Sequence, residues 1–155
     1  MKYPYSITSL NKLDTCHRFL KRLAMAAAEY MDLTVIDGYR GRIRQNRAYE
    51  AGFSQKPFPG SKHNHREKGE KCSLALDLGP YVKESQGVEW PDISEPRAIY
   101  TKKVGRFYLM AGMVLTLAEK MLIPVRWGGD WDMDGEITDN KFDDLAHFEL
   151  IEEEL

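Results

Sequence analysis

The segment DDLAHFELI, from Asp143 to Ile151, combines the pattern of a β-strand with side chains that can bind a metal ion. Its last six residues, from Ala146 onward, are mainly apolar, which predicts a strand. Side chains two positions apart on a strand point to the same face of the sheet. His147 and Glu149 are therefore predicted to lie side by side on one face of this strand.

A second group of such side chains lies upstream, where a loop rich in Pro, Gly, Lys and His (residues 54–72) leads into a strand-like run, Ser73 to Leu78. Catalytic zinc sites use three protein ligands and leave a fourth position for water, and His nitrogen and carboxylate oxygen suit this ion. His63 in the loop, Asp77 in the strand and His147 are the candidate ligands. No HExxH or paired CxxC motif fixes their geometry, so spacing alone also fits ordinary surface or core histidines beside a solvated acid.

Apolar residues recur at steps of three and four over two long stretches, which predicts amphipathic helices from Leu10 to Met31 and from Tyr100 to Leu122. Shorter patterns predict a helix through Gln45 to Ala51 and further strands at residues 33–37, 73–78 and 123–127. Helices mixed with several short strands predict an α+β fold rather than a doubly wound sheet. The length of 155 residues fits one domain, residues 1–155, with one hydrophobic core.

The composition argues against several classes of protein. The formal net charge is −2, so there is no overall basic surface for nucleic acid. The longest apolar run, residues 107–117, is too short to span a membrane. Charges recur from Lys2 to Arg22, which leaves no apolar segment for a signal peptide. We therefore expect no nucleic acid partner, no membrane insertion, and synthesis in a cytoplasm without an export signal.

The two cysteines, Cys16 and Cys72, can form at most one disulfide, so the chain is not a disulfide scaffold. Two reduced thiols are the favoured interpretation, because free cysteine is often buried. The thiol of Cys72 is soft enough for zinc, which makes it a remote alternative as a metal ligand.

The segment DWDMDGEI, from Asp130 to Ile137, matches the first eight positions of a calcium-binding loop. Asp130, Asp132 and Asp134 occupy the oxygen-donor positions, with Gly at position six and an apolar residue at position eight. Lys141 stands where the acid of position twelve is expected and breaks the pattern. Two interpretations remain, a calcium site or a solvated acidic loop, and the missing oxygens of a calcium site would come from Asp139, Asp143 or Asp144.

Three motifs occur in the order that is typical of one family of zinc peptidases. They are Ser61-x-His63, Ser73-x-Ala75-x-Asp77 and Asp144-x-x-His147. The chain resembles the zinc D-Ala-D-Ala carboxypeptidases and L-alanyl-D-glutamate endopeptidases, which include VanY-like and VanX-like enzymes and phage endolysins. Gly38-Tyr39-Arg40, followed by Gln45, resembles the arginine turn of this family, and RWGGDW, residues 126–131, resembles its phage endolysin branch. The matches run from about residue 8 to residue 150.

The resemblance implies a small antiparallel sheet flanked by helices, the fold that this family shares with Hedgehog-type domains. It also implies a role for each matched residue. His63, Asp77 and His147 would hold zinc, Asp144 would be the general base, and Arg40 would bind the carbonyl oxygen as it gains negative charge. Ser61 and Gln45 would contact the substrate or support the site.

One departure from the family pattern leaves an alternative for the first ligand. The loop Asn64 to Cys72 lengthens the usual spacing between the histidine and the aspartate, and His65 lies within it. Ser61 stands two residues before His63, as in the family motif, and this favours His63 over His65.

The resemblance predicts a phage endolysin-like peptidoglycan hydrolase, a zinc-dependent L-alanyl-D-glutamate endopeptidase that cuts cell-wall stem peptides as a monomer. Such an enzyme is held in the host cytoplasm before lysis and acts on the wall in the periplasm. Two alternatives stay open. One is a D-Ala-D-Ala carboxypeptidase or dipeptidase with the same metal chemistry, and the other is a non-catalytic metal-binding module that recognises the wall, because fold does not settle function.

Overall fold

The computed structural model describes residues 1–152 of the chain, which form four α-helices and seven β-strands. The helices are α1 (Ile7–Leu13), α2 (Arg18–Ala27), α3 (Arg42–Glu50) and α4 (Arg97–Lys120). The strands are β1 (Leu33–Asp37), β2 (Arg66–Glu67), β3 (Glu70–Lys71), β4 (Ala75–Val82), β5 (Gly87–Val88), β6 (Val125–Gly128) and β7 (Asp144–Leu150).

The main sheet is antiparallel and runs in the order β1-β4-β7-β6, with the short β5 paired to the end of β4. The register of β4 places Asp77 opposite His147 of β7 on one side and opposite Asp37 of β1 on the other. Three polar side chains from distant parts of the chain are thereby neighbours across the sheet. The predicted α+β fold with a small antiparallel sheet flanked by helices is confirmed.

The two faces of the sheet have different partners. Leu76 of β4 and Phe148 of β7 are buried in the apolar core, where α4 packs on the sheet and α2 packs on α4. Asp77 and His147 are one position away on the same strands, so they point to the opposite face. The alternation that builds the core therefore also directs the polar side chains into one site.

The first predicted helix, Leu10 to Met31, is wrong in one respect, because the structure breaks it into α1 and α2. The break holds the residues between them against the start of β4: Ser73 N donates to Thr15 O at 2.8 Å and His17 N donates to Ser73 O at 2.8 Å. The ring of His17 then caps α2 by accepting from Phe19 N. The apolar spacing continues across the break because Leu13, Cys16 and Leu20, at steps of three and four, are all buried.

Residues 54–72 were predicted as a loop, and the structure adds local order to this segment. A single 3₁₀ turn spans Lys62–Asn64, and β2 and β3 form a short hairpin that projects beyond it. The hairpin carries exposed charged residues and no apolar alternation, so no strand pattern is visible in its sequence.

Strand β7 begins at Asp144, two residues before the predicted start.

Two further expectations concern features outside the sheet. Within residues 1–152, each helix is too short or too polar to cross a bilayer. The thiols of Cys16 and Cys72 are both free, with Cys16 buried beneath the turn after β1.

Candidate metal centre

Three buried side chains, His63, Asp77 and His147, bring one donor atom each to a common point. His63 Nε2 lies 3.1 Å from Asp77 Oδ1 and 3.2 Å from His147 Nδ1, and His147 Nδ1 lies 2.9 Å from Asp77 Oδ1. Ligand atoms about 2.0–2.1 Å from a tetrahedral zinc ion are separated by about 3.3 Å. The observed triangle therefore has nearly the size that one zinc ion requires.

Local structure explains how each ligand reaches this point. His63 lies in the 3₁₀ turn, which Ser61 and Asn64 cap reciprocally. Arg40 N donates to the carbonyl oxygen of His63, which ties the turn to the segment after β1. Asp77 and His147 face each other across the β4–β7 pair. Two strands and one capped turn thus fix the three side chains on rigid backbone.

The outer nitrogen of each imidazole has a hydrogen-bond acceptor that sets its tautomer. His63 Nδ1 lies 2.6 Å from the carbonyl oxygen of Gly38, and His147 Nε2 lies 3.0 Å from Glu149 Oε2. When these outer nitrogens donate, the lone pairs of His63 Nε2 and His147 Nδ1 both point toward Asp77. Metal-binding histidines are typically held in this way by a carbonyl or a carboxylate. The donor set and its supports therefore fit a divalent metal ion.

The electrostatics of the site attract positive charge. Burial alone would raise the pKa of Asp77, but the imidazoles of His63 and His147 hold it well below its usual range. Burial alone would lower the pKa of His147, but hydrogen bonds to Asp77 and Glu149 raise it to about 10. In the absence of a metal ion, a proton on His147 therefore supplies the cation that the two carboxylates require.

Glu149, which bonds the outer nitrogen of the His147 imidazole, is itself held by an ion pair. Arg126 donates to Glu149 Oε1 through Nε at 2.8 Å and through a terminal nitrogen at 2.6 Å. Burial would raise the pKa of Glu149, but its bonds with His147 and Arg126 lower the pKa to about 2. The alternation of side chains along a strand predicted that Glu149 lies beside His147. The sequence did not predict that Glu149 supports His147, because that role depends on the orientation of the imidazole ring.

Arg40 lies behind Asp77 and also borders the site. Its terminal nitrogen donates to Asp77 Oδ2 at 2.8 Å, while its Nε lies 3.3 Å from Asp37 Oδ2 without hydrogen-bond geometry. Arg44 donates to the other oxygen of Asp37 at 2.6 Å. Arg40 is only 8% exposed, so its own ion pairs form in a weakly solvated place. Asp37 was not among the predicted site residues, and only the β1–β4 register reveals its position.

A cavity of about 210 Å³ opens in front of the ligands. Arg40, Ser61 and Asp144 line it together with His63 and His147. Asp144 is half-buried, and burial together with the charge of Asp77 raises its pKa, which makes this carboxylate a stronger base. Of the predicted site residues, His63, His147, Asp144, Arg40 and Ser61 therefore line one cavity, and Asp77 contacts both of these histidines.

The structure places the remaining candidates outside the cavity. Gln45 is fully buried, and its amide donates to Ser54 Oγ and to the carbonyl oxygen of Lys56, so it lies behind the cavity wall. The ring of His65 lies outside the metal-binding group, and its Nδ1 is 2.9 Å from the carbonyl oxygen of Cys72. His63 is thus the histidine of this loop that joins the metal-binding group.

A second group of carboxylates lies in the loop before β7. Ligand atoms of Asp130, Asp132 and Asp134 come within 4.8 Å of one another. Gly135 adopts a φ of +86°, which favours glycine, and its N–H donates to Asp130 Oδ2 at 3.1 Å. Asp130 Oδ1 is buried and has no hydrogen-bond partner in the described part of the chain. The loop therefore has the shape expected of the first half of a calcium loop.

Comparison with known proteins supports the chemistry suggested by this geometry. The family model described as "Phage L-alanyl-D-glutamate peptidase" matches residues 1–151. The chain belongs to this family. Membership confirms the resemblance noted in the sequence and identifies the chain as a peptidoglycan peptidase.

A solved structure has the same fold over nearly the whole chain. It is the crystal structure of the Serratia marcescens L-Ala D-Glu endopeptidase ChiX, with a TM-score of 0.63 and 22% sequence identity. The match covers 97% of this chain and 92% of ChiX. No curated protein matches this member of the phage L-alanyl-D-glutamate peptidase family.

Proposed function

We propose that this chain is a zinc-dependent L-alanyl-D-glutamate endopeptidase that cuts the stem peptides of peptidoglycan. His63, Asp77 and His147 would hold the ion. The observation that carries the proposal is the triangle of donor atoms, with sides of 2.9–3.2 Å, at the floor of a cavity lined by an acid and an arginine. Two nitrogens and one carboxylate oxygen are a common ligand set for catalytic zinc, and they leave a position for the reactants.

The bound ion would polarise the scissile carbonyl and activate water for attack. Asp144 supplies the base at the cavity wall: its carboxylate takes a proton from the attacking water and delivers it to the leaving amine. Arg40 supplies a fixed positive charge beside Asp77, and it stabilises the carbonyl oxygen as negative charge develops. Ser61 caps the turn that carries His63 and contacts the substrate from the same side of the cavity.

The decisive experiment measures the release of new amino ends from purified peptidoglycan, with a chelator, and again after zinc is returned. Mass analysis of the fragments identifies the bond. We expect new ends at L-Ala–D-Glu that depend on zinc, and their loss in His147→Ala. Free D-Ala would instead indicate a D-Ala-D-Ala carboxypeptidase, and zinc binding without any cleavage would indicate a non-catalytic wall-binding module.

The acidic loop supports a second, regulatory proposal, that Asp130, Asp132 and Asp134 bind calcium. The buried and unpartnered Oδ1 of Asp130 favours an ion over a solvated loop. Trp131 lies between two of these acids in sequence, and its ring is 5.6 Å from that of His147. Calcium would therefore order the loop next to a zinc ligand and just before Asp144.

Isothermal calorimetry with calcium tests this proposal on the zinc-loaded protein. We expect calcium binding, and we expect Asp132→Asn to abolish it. Asp92 is an exposed acid in a distant connection, so Asp92→Asn should leave calcium binding unchanged. Absence of binding at millimolar calcium would contradict the proposal.

The phage origin of the family supports the remaining parts of the proposal. The enzyme would be held in the host cytoplasm before lysis, act on the wall in the periplasm, and work as a monomer. Light scattering of the purified protein tests the last point, and a dimer mass would contradict it.

A further inference from the structure

One wall of the cavity is formed by the segment from Phe53 to Lys56, which follows α3 directly. Helix α3 lies on the surface, and Gln45 is the residue that it buries. The Gln45 amide donates to Ser54 Oγ at 2.9 Å and to the carbonyl oxygen of Lys56 at 2.6 Å. Buried amides are nearly always hydrogen-bonded, so movement of this wall would leave the amide unpaired. The wall is therefore a fixed part of the site.

The cations that border the cavity differ in their partners. Arg40 pairs with Asp77, Arg126 pairs with Glu149, and Lys62 pairs with Glu152. Among residues 1–152, the structure shows no carboxylate within ion-pair distance of the ammonium group of Lys56. Lys56 is thus a cavity cation whose charge is available to a ligand, while its backbone is held by Gln45.

The proposed substrate brings an anion to this place. A glutamyl residue on the amine side of the scissile bond has two carboxyl groups, and the peptide continues through only one of them. The other is ionised at neutral pH, since the pKa of an ordinary carboxyl is about 4. It lies only a few bonds from the scissile nitrogen, which must be in the cavity during cleavage.

We infer that Lys56 is a specificity-determining residue that pairs with the free carboxylate of the D-glutamyl residue. The inference rests on the proposed function and adds a recognition role to the cavity wall. Lys56 contacts a carboxylate that takes no part in the bond changes, so its loss raises KM more than it lowers kcat. The exposed position gives a moderate effect, about tenfold in kcat/KM.

The test uses two synthetic peptides that contain L-Ala–D-Glu, extended through the γ-carboxyl. One has a free α-carboxylate and the other has a neutral α-carboxamide. We expect the zinc-loaded enzyme to prefer the carboxylate about tenfold, Lys56→Gln to cut both peptides equally, and Lys56→Glu to prefer the amide. Lys56→Arg, which retains the charge, keeps the preference, and so does Lys102→Gln, which removes an exposed lysine of α4.

The outcomes separate this inference from the proposed function. If the enzyme cuts neither peptide and leaves peptidoglycan intact, the endopeptidase proposal fails, and the inference falls with it. If cleavage occurs without a preference, or Lys56→Gln retains the preference, the inference alone is overturned. Collapse of the preference in Lys62→Gln but not in Lys56→Gln would assign recognition to Lys62 and also overturn it.

Discussion

At the scale of single residues, the metal-binding character of the site depends on atoms that do not touch the metal position. The carbonyl oxygen of Gly38 and the carboxylate of Glu149 each bind the outer nitrogen of an imidazole. Arg40 occupies the second oxygen of Asp77. With these positions taken, each ligand has one atom left, and the three atoms converge.

Metal binding should compete with the proton on His147. Without metal its pKa is raised to about 10, so at lower pH a proton occupies the nitrogen that the ion needs. We expect the zinc affinity to rise about tenfold per pH unit between about pH 6 and pH 9. It should level off above the pKa of His147, where the ring has already lost its proton before zinc binds. Competition with a chromophoric chelator, corrected for the chelator's own protonation, measures this slope. An affinity that does not change with pH would contradict the assignment of His147 as a ligand.

Asp144 and its neighbour Asp143 provide a matched pair for the general base. Asp144 lines the cavity, whereas Asp143 is exposed and does not. Asp144→Asn should retain zinc and lose about 10²–10⁴ in turnover, the usual contribution of a positioned base. Asp143→Asn should keep its activity. Turnover on stem peptides and zinc content from elemental analysis are measured for both variants. Full activity in Asp144→Asn would show that Asp144 is not the general base.

The sequence motifs predicted individual residues better than they predicted their partners. Ser61-x-His63 and Asp144-x-x-His147 are local patterns, and the structure brings these residues to one cavity. Asp37 could not be predicted as a neighbour of Asp77, because their contact depends on the β1–β4 register. The same holds for Gly38, which contributes a main-chain oxygen that has no signature in a side-chain pattern.

At the scale of elements, hydrophobic periodicity predicted the long helix and the buried strands. Strand β1 has the predicted bounds, whereas α4 begins about a turn before the predicted Tyr100 and ends at Lys120, before the predicted Leu122. Periodicity could not reveal the break between α1 and α2, because the buried residues Leu13, Cys16 and Leu20 keep the helical spacing across it. It also could not reveal the hairpin of β2 and β3, which buries nothing.

Gly38 joins the first helix, the sheet and the metal ligand in one turn. A Cβ at this position would lie 2.4 Å from Lys12 O and 2.6 Å from Thr15 Oγ1, so a side chain requires the turn to move. We expect Gly38→Ala to destabilise the protein by about 1–3 kcal/mol, as overpacking does. It should also weaken zinc binding, since the carbonyl oxygen of Gly38 orients His63.

Gly105 of α4 is the control for this substitution, because a Cβ there meets nothing within 4 Å. Gly105→Ala should stabilise the helix by about 0.5–1 kcal/mol and leave zinc affinity unchanged. Denaturant unfolding and chelator competition measure both quantities for each variant. Equal stability of Gly38→Ala and the unmodified protein would show that the turn can move freely.

At the scale of the whole molecule, the site exists only when the chain is folded. His63 and His147 are 84 positions apart in sequence, and Asp77 meets His147 only through the pairing of β4 with β7. The unfolded chain holds these residues far apart, so a metal ion that needs all three binds the native state. Binding to the native state alone stabilises it by mass action.

Zinc should therefore raise the melting temperature in a way that depends on its concentration. At 100 times the dissociation constant the gain is about 2.7 kcal/mol, which corresponds to about 5–10 °C for a domain of this size. Thermal unfolding of chelator-treated protein, with and without added zinc, measures the shift. His147→Ala lacks one ligand and should show almost none of it. An equal rise in melting temperature in this variant would mean that the stabilising ion binds elsewhere, and the acidic loop of Asp130 would be the first place to examine. If the rise is lost in this variant, the stability of the fold is tied to the same three side chains that hold the metal.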